Sequence, residues 1–229
     1  MLLEIMRLYT YCIPYDDGAA PNPFFGVCTL VICKPVIRRT ACIGDWIVGT
    51  GSKNVDGVDY SNKVVYAMKV TQKMTMMEYD SFTQNHLMDK VPDWDSISPE
   101  RRVGDSIYNF SSEPPWMRLS VHGIGNRDTD IGGKFALLSD HFYYFGRDAK
   151  LLEGNLLGIV RQGQGHRVNK NEPFKDDFVR WIENPRSKIY FNDNSHKPQI
   201  WPEEVVSTPT WCGQCRAEEG AKDEESEND

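Results

Sequence analysis

The chain has 229 residues, of which 40% are hydrophobic, and a formal net charge of −7 at pH 7. This length fits one large domain, or one domain with an appendage, and the apolar content is ample for a core. Most of the negative charge lies in Glu218–Asp229, which leaves residues 1–217 nearly neutral. A near-neutral body argues against a general polyanion binder, which needs a broad positive field.

No apolar stretch approaches the roughly 20 residues that span a bilayer. The N-terminal residues MLLEIMRLYTYCIPYDD carry Glu4 inside their apolar part and no small-residue cleavage site, which is unlike a signal peptide. Six cysteines without a secretory signal favour reduced thiols. We therefore expect a cytoplasmic protein that does not enter a membrane.

The first half of the chain is organised around Pro21–Ser52, here called the central segment. After a first strand over Met6–Ile13 and a turn-rich loop, the apolar run Gly26–Cys33 predicts a buried strand that Pro35 ends. A basic connector and the turn at Gly44–Asp45 follow. The sequence WIV then predicts a second strand, which leads into a loop of small residues.

That loop, Gly49–Ser52, offers backbone N–H groups and the hydroxyls of Thr50 and Ser52, and Arg38 and Arg39 lie shortly upstream. Backbone donors and arginine forks suit a phosphate or a planar heterocycle. The alternative is a hairpin rim in which Gly49 and Gly51 serve only the turn.

The rest of the chain predicts further strands and two helices. An alternating pattern predicts a strand over Lys63–Lys73, and Thr75 with Glu78 predicts a capped helix that runs to about Met88. Short strands follow, and a second helix is expected over Phe174–Glu183. We predict an α+β fold, a β-barrel-centred domain over residues 1–205 with a flexible acidic tail over residues 206–229.

Histidines beside glycine-rich or aromatic segments are the candidate catalytic groups. His122 opens one glycine-rich loop, His166 lies in another, basic one that ends at Arg167, and Asp140 and His141 begin an aromatic run. Histidine is the common acid–base group near neutral pH. Each of these histidines also has an ordinary structural reading, because no established catalytic motif surrounds it.

We expect neither a metal ion nor a cofactor. Cys212 and Cys215 form a single CxxC pair, whereas a structural zinc site needs four ligands, and Cys28 and Cys33 belong to an apolar run that predicts burial. There is no Walker loop, and no dinucleotide fingerprint follows a strand.

Four segments of the chain resemble the nucleotide modification associated domain 2 family. They are APNPFFGVCTLVICKPVIRRTACIGDWIVGTGS, VVYAMKVTQKMTMMEY, SDHFYYFG and GQGH, and the resemblance covers roughly residues 6–190. The family is associated with systems that modify bases in nucleic acid. The resemblance therefore implies a setting more than a reaction.

More weakly, the order of a basic connector, a Gly-Asp turn and a strand is similar to PUA, ASCH and EVE domains. These are small β-barrels that bind RNA or modified bases beside that turn. This likeness implies that Arg38, Arg39, Asp45, Trp46 and Gly49–Ser52 lie near a pocket. The chain departs from these domains in its greater length and its extra glycine-rich loops, so an enzyme remains an alternative to a domain that only binds.

The leading hypothesis is recognition of a nucleotide or a modified nucleic-acid base in a basic, aromatic cleft, to which Arg167 also contributes. Aromatic faces beside arginines would supply stacking and phosphate neutralisation. The alternatives are an enzyme that acts on a nucleotide or base, using His122, Asp140, His141 or His166, and a scaffold that binds a protein partner through its acidic tail.

Overall fold

The structure is a computed structural model that describes residues 6–161, 163–184 and 196–203. Within these ranges the chain is of the predicted α+β class, with three sheets and short helices around them. The strands are β1 (Leu8–Ile13), β2 (Cys28–Leu30), β3 (Trp46–Gly51), β4 (Lys63–Lys69), β5 (Gln72–Thr75), β6 (Tyr108–Asn109), β7 (Trp116–Met117), β8 (Phe135–Ser139), β9 (His141–Tyr144), β10 (Lys150–Leu151) and β11 (His166–Arg167). The α-helices are α1 (Pro35–Thr40), α2 (Met76–His86), α3 (Pro99–Arg102), α4 (Arg127–Gly132) and α5 (Lys175–Ile182).

The largest sheet has the strand order β10-β4-β3-β1-β11, and β9 pairs with β4 on the same side as β10. Strands β1 and β3 are parallel, in register from Leu8 opposite Trp46 to Ile13 opposite Gly51. The other pairs are antiparallel. Every residue of β3 is buried, as is usual for a strand covered on both faces.

The predicted barrel centre is not confirmed. Over the described residues the largest sheet is open, with β11 at one edge and β9 and β10 at the other. Strands β2, β8 and β5 form a second sheet, and β6 and β7 form a small third one. The predicted strand over Lys63–Lys73 divides into β4 and β5, which belong to different sheets.

The central segment differs from its prediction in its first strand, in its basic connector and in how its two strands pair. The first predicted strand is short, β2 alone, and the basic connector is helix α1. Cys33 and Lys34 turn the chain with φ values of 58° and 43°, and Pro35 then occupies the first turn of the helix. The fixed φ of proline suits that position, so Pro35 begins a helix as well as ending an extended run. The segment's two strands lie in different sheets, so it is not a hairpin.

The two predicted helices are present. Helix α2 begins with the expected capping box, in which the Thr75 hydroxyl accepts from the Glu78 amide and the Glu78 carboxylate accepts from the Thr75 amide. Helix α5 begins at Lys175, after a 3₁₀ turn that contains Pro173. None of the helices in the described ranges is both long and apolar enough to cross a bilayer.

Two apolar clusters cover the two faces of the largest sheet. Tyr9, Tyr11 and Ile47 belong to the cluster that also contains the second sheet, whereas Leu8 and Trp46 belong to the cluster that contains α5. This division follows the period of two along a strand. Trp46 packs in the core rather than at a cleft.

Arg38 is fully buried and joins three elements. Its Nε donates to the carbonyl of Cys33 at 2.7 Å, its Nη1 donates to the carbonyl of Phe135 at 3.1 Å, and its Nη2 donates to the carbonyl of Asp130. A Cβ added at Gly133 would lie 2.1 Å from this guanidinium, so the packing leaves no room there for a side chain. Arg38 thus ties the start of α1 to α4 and β8.

Replacing Arg38 with alanine should therefore destabilise the fold, because three carbonyl groups would lose a donor. The Asp130 carbonyl would still accept from the Gly133 amide at 3.2 Å. At about 1–3 kcal/mol for each of the other two groups, we expect a loss of at least about 2 kcal/mol. Arg39 is the matched control: it is half-buried, and its Nη1 donates to the Gly132 carbonyl at 3.0 Å. Arg39→Ala should cost no more than about 1 kcal/mol. Urea unfolding measures both, and equal losses would contradict this assignment.

The segment Lys197–Trp201 docks on the loop that follows β1 through contacts to Asp16 and Phe24. The amide of Ile200 donates to the Asp16 carbonyl at 3.0 Å, and Trp201 stacks on Phe24. The Asp16 carboxylate is buried and accepts from the Tyr144 hydroxyl at 2.6 Å. Burial raises the pKa of Asp16 to about 7, against the opposing effect of the Tyr144 hydrogen bond.

This raised pKa gives Asp16 a defined signature in the pH dependence of stability. Between the pKa of Asp16 in the unfolded state, near 4, and its pKa in the folded state, about 7, the folded state binds more protons than the unfolded state. The stability that protonated Asp16 contributes is therefore lost as the pH rises over this range, up to about 7. Asp16→Asn cannot ionise. The melting temperature of Asp16→Asn minus that of the wild type should therefore rise between pH 5 and pH 8. A difference that stays constant over this range would contradict the shift.

Candidate functional site

A cavity of about 680 Å³ opens where the parallel strands β1 and β3 end. Its wall includes Cys12 at the end of β1, Gly51 at the end of β3, and the segments 52–53, 61–62 and 160–165, apart from residue 162, which lies outside the described residues. Ligands commonly bind at the carboxyl ends of parallel strands, where loops rather than side-chain layers cover the sheet. The cavity is therefore a candidate ligand site.

Three cationic side chains, Lys34, Lys53 and Arg161, line this cavity. Lys34 is buried, with its Nζ 4.9 Å from the ring centre of Tyr11, whereas Lys53 is exposed. None of the described residues that line the cavity is acidic. The wall therefore presents positive charge that suits an anionic ligand.

Backbone geometry brings the loops close around the cavity. A Cβ at Gly51 would lie 2.6 Å from the carbonyl oxygen of Tyr60, so glycine is needed for this close approach. Gly165 has a φ of 82°, which side-chain-bearing residues rarely adopt. Between these loops, Arg161 donates from Nε and Nη2 to the carbonyl of Gln164, at 3.0 and 2.8 Å. The loop thereby holds the guanidinium in place.

The pKa of His166 is affected by the positive charges around the cavity. It lies opposite Tyr11 in the pairing of β11 with β1. Burial, followed by the charges of Lys34 and Arg161, lowers the pKa of His166 to about 4. The imidazole is therefore neutral at pH 7, beside two cations.

A second cluster of functional groups lies in the core, where Cys33 of the central segment meets His122 and Asp130. The Sγ of Cys33 is 3.5 Å from Nε2 of His122, and Nδ1 of His122 is 2.7 Å from Oδ2 of Asp130. The amide of Cys33 donates to Oδ1 of Asp130 at 2.8 Å, and the hydroxyl of Tyr108 donates to Oδ2 at 2.9 Å. All three members are buried.

Local structure explains how these residues meet. Cys33 lies in the left-handed turn between β2 and α1, and Asp130 lies on α4, which packs against α1. His122 precedes α4, and its carbonyl accepts from the Ser120 hydroxyl at 3.1 Å. The buried Arg38 ties the turn to α4 through the carbonyls of Cys33 and Asp130.

The ligand atoms of Cys33, His122 and Asp130 lie within 4.8 Å of one another, which is close enough for a metal ion. Both oxygens of Asp130 already accept hydrogen bonds, however, and Nδ1 of His122 faces one of them. Ligation by Asp130 would break this arrangement, and a structural zinc takes four ligands. The hydrogen bonding fits an ordered Cys-His-Asp relay better than a metal centre.

The predicted ligand-binding residues of the central segment divide between core and cavity. Gly51 and Ser52 line the cavity, whereas Gly49 packs against Ile13 and Tyr66. The Thr50 hydroxyl donates to the Tyr11 carbonyl. Trp46 stacks on Tyr143 and meets Phe178 edge-on. Asp45 forms an ion pair with Arg7 at 3.1 Å. Arg38 and Arg39 donate hydrogen bonds to backbone carbonyls.

The other predicted residues lie in separate surroundings. His141 meets the ring of Trp46 edge-on, and its Nε2 is 3.1 Å from Oε1 of Glu183. Asp140 is exposed at the turn between β8 and β9. Arg167 lies on β11, where its Nη1 donates to the Val160 carbonyl at 3.4 Å. Of the candidate catalytic residues, His122 lies in the buried cluster and His166 lies near the cations of the cavity.

Sequence reasoning missed Lys34, Lys53 and Arg161 as a group, and it assigned Cys33 only to a buried strand. For Cys33 and Lys34 the available signal was Pro35, because proline is frequent at the first position of a helix and the residues before it then form the entry turn. Asp130 gave no signal, because only the packing of α4 brings it to His122. Cys212, Cys215 and the acidic tail lie outside the described residues.

Comparison with known proteins gives one finding. The sequence profile described as nucleotide modification associated domain 2 matches residues 5–202, most of the chain. No curated protein and no solved structure shows a significant match. The profile spans both the cavity and the Cys33 cluster, and it agrees with the resemblance carried by the central segment. The chain therefore belongs to the nucleotide modification associated domain 2 family.

Proposed function

We propose that the cavity binds a nucleotide, or a modified nucleotide within a nucleic acid, through its phosphate. The single observation that supports this most strongly is the wall with three cations, Lys34, Lys53 and Arg161, and no acidic residue among those described. The family name supplies the context, which is the modification of nucleotides.

The size and shape of the cavity support a small organic anion. Sites for small molecules typically have volumes of about 300–1,000 Å³, and this cavity has about 680 Å³. A phosphate would lie near Arg161 and Lys34, where cations and glycine-rich backbone meet. The sugar and base would lie against less polar parts of the wall, Pro14 and Val160.

The base would be recognised differently from our initial hypothesis. Trp46 and Tyr143 pack in the core, so they do not offer stacking faces to the cavity. The groups near the cavity that carry hydrogen-bonding specificity are the hydroxyls of Ser52 and Ser61, the amide side chains of Asn62 and Gln164, and neutral His166. We propose that these groups distinguish the base or its modification.

Nucleoside monophosphates should bind more tightly than the corresponding nucleosides. A charge-assisted hydrogen bond contributes about 1–3 kcal/mol, so Lys53→Ala and Arg161→Ala should each weaken nucleotide binding about 5- to 150-fold. Titration calorimetry with nucleosides and nucleotides at constant ionic strength measures this. Lys170→Ala is the matched control, because Lys170 is exposed and does not line the cavity. Equal affinities for nucleoside and nucleotide, or no binding of either, would refute the proposal.

Phosphate binding should also raise the pKa of His166. In the free protein, Lys34 and Arg161 help to hold it near 4, and a bound anion offsets both charges. By linkage, protonation of His166 then favours binding as pH falls from 6 toward 4, while the phosphate itself loses charge below its second pKa of about 6, so the His166 pKa is the direct readout. NMR titration of the His166 ring with and without inorganic phosphate measures the shift, with His141 as an internal control. An unchanged His166 titration at saturating phosphate would place the anion elsewhere.

A further inference from the structure

We propose that Cys33 is a nucleophile for acyl transfer, with His122 as its general base and Asp130 as the residue that orients His122. The relay is built from Sγ of Cys33, 3.5 Å from Nε2 of His122, and from Oδ2 of Asp130, 2.7 Å from Nδ1. A thiol, an imidazole and a carboxylate in this order are the parts that nucleophilic catalysis by cysteine requires.

The hydrogen bonds set the tautomer of His122. Asp130, an acceptor when ionised, faces Nδ1, so Nδ1 carries the proton and Nε2 is left as the acceptor that faces the thiol. The Tyr108 hydroxyl and the Cys33 amide also donate to Asp130, and they fix the carboxylate in this orientation. Proton transfer from Sγ to Nε2 would form an imidazolium that Asp130 stabilises.

Cys33 also has an unusual backbone conformation. It and Lys34 both adopt positive φ, 58° and 43°, at the strand-to-helix turn. For residues other than glycine this conformation is unfavourable and persists only where the surroundings enforce it. Here the Cys33 carbonyl accepts a hydrogen bond from Arg38, and the Cys33 amide donates one to Asp130. Arg38 and Asp130 therefore hold the turn in the conformation that places the thiol beside His122.

Cys28 shows what an inert buried cysteine looks like in the same protein. Its Sγ lies 3.9 Å from Sδ of Met68, and burial raises its pKa far above the ordinary value. Cys33 is also buried, at 1% exposure, but it faces an imidazole instead of a thioether. Burial alone therefore does not account for the arrangement around Cys33.

The reaction is balanced without any co-reactant other than water. Sγ of Cys33 forms a bond to the carbonyl carbon of an ester or amide while its proton moves to Nε2 of His122. The bond from that carbon to the leaving group breaks, and His122 returns the proton to the leaving group. Water, deprotonated by His122, then attacks the thioester and releases the acid and the free thiol.

The near-complete enclosure of Sγ limits the substrate to small or slender acyl groups. Lys34, the next residue, lines the cavity, and its Nζ rests on the ring of Tyr11. Because Lys34 is adjacent to Cys33 in the chain, we infer that movement of its side chain would open a route from the cavity to the thiol. Neither the thiol–imidazole contact nor the acyl step requires a phosphate in the cavity. Acyl transfer at Cys33 is therefore independent of nucleotide binding in the cavity.

Alkylation of the full chain by iodoacetamide tests the relay directly. The rate at each cysteine is measured by peptide mass mapping between pH 5.5 and 9. A free thiol with a pKa near 8.5 is almost entirely protonated at pH 6, so the rate at Cys12, which is half-exposed, should fall more than about tenfold between pH 8.5 and pH 6. The rate at Cys33, whose thiol faces His122, should fall less than about threefold over the same range, even if its enclosure slows the reaction at every pH. A Cys33 rate that falls as steeply as the Cys12 rate, or no alkylation of Cys33 at any pH, would overturn the proposal. This comparison needs no variant.

Acyl transfer is tested with p-nitrophenyl acetate, whose leaving group is released as the acyl-enzyme forms. The wild type should show a burst of one p-nitrophenolate per chain and carry acetyl on Cys33. Cys33→Ser should lose the burst, whereas Cys28→Ser, an equally buried control, should retain it. A burst that survives Cys33→Ser would reject acyl transfer. So would the absence of a burst in untreated wild-type protein, if iodoacetamide does react with Cys33 in the alkylation experiment.

The positioning role of Asp130 has its own readout. Asp130→Asn should remove the weak pH dependence of the Cys33 rate, so that its alkylation follows the pH dependence of an ordinary thiol. A purely structural role would slow or accelerate all buried cysteines alike, including Cys28. Circular dichroism establishes that the variant is folded, and a folded Asp130→Asn protein with an unchanged Cys33 profile would refute this role.

Discussion

The parallel pairing of β1 with β3 is the constraint on which the rest of the structure depends. Two parallel neighbours cannot be joined by a tight turn, so the chain between Ile13 and Trp46 must cross from one end of the sheet to the other. This crossover carries β2 into the second sheet and then forms α1. The same pairing places the ends of both strands side by side, where the cavity opens. The candidate sites thus share one topological origin.

Buried polar groups hold the crossover in place. Arg38 bonds to carbonyls of the turn, α4 and β8, and Asp45 accepts hydrogen bonds from the amides of Arg7 and Cys42. The three N–H donors of Lys90 point into a group of four oxygens around β2 and the loop before it, including the carbonyl of Val27 at 2.7 Å. Each such group is costly to bury unless it is bonded, so the completed network favours a single arrangement of the turn.

Local sequence patterns predicted local structure well and spatial grouping poorly. The capping box at Thr75 and the strand before Ser52 could be read from a few neighbouring residues. The roles of Arg38 and Trp46 could not, because an arginine or tryptophan near a glycine-rich turn suits a ligand site and a packed interior equally. Only long-range pairing decides between them. His122 was singled out from its loop alone. Its partner Cys33 is 89 residues away in the sequence, and the packing of α1 against α4 brings Cys33 to Asp130, which follows His122 by eight residues.

The position of His166 and Arg167 has a consequence for motion. Strand β11 is two residues long and forms the outer edge of the largest sheet, so it is held there through β1 alone among the described strands. Short edge elements open at a lower free energy than central strands, because they separate without exposing the core. The wall of the cavity that carries Gly163 and Gly165 directly precedes this strand. Amide hydrogens in this wall should therefore exchange through local opening, without global unfolding. The same local opening would allow a ligand to enter and leave while the two apolar clusters stay intact.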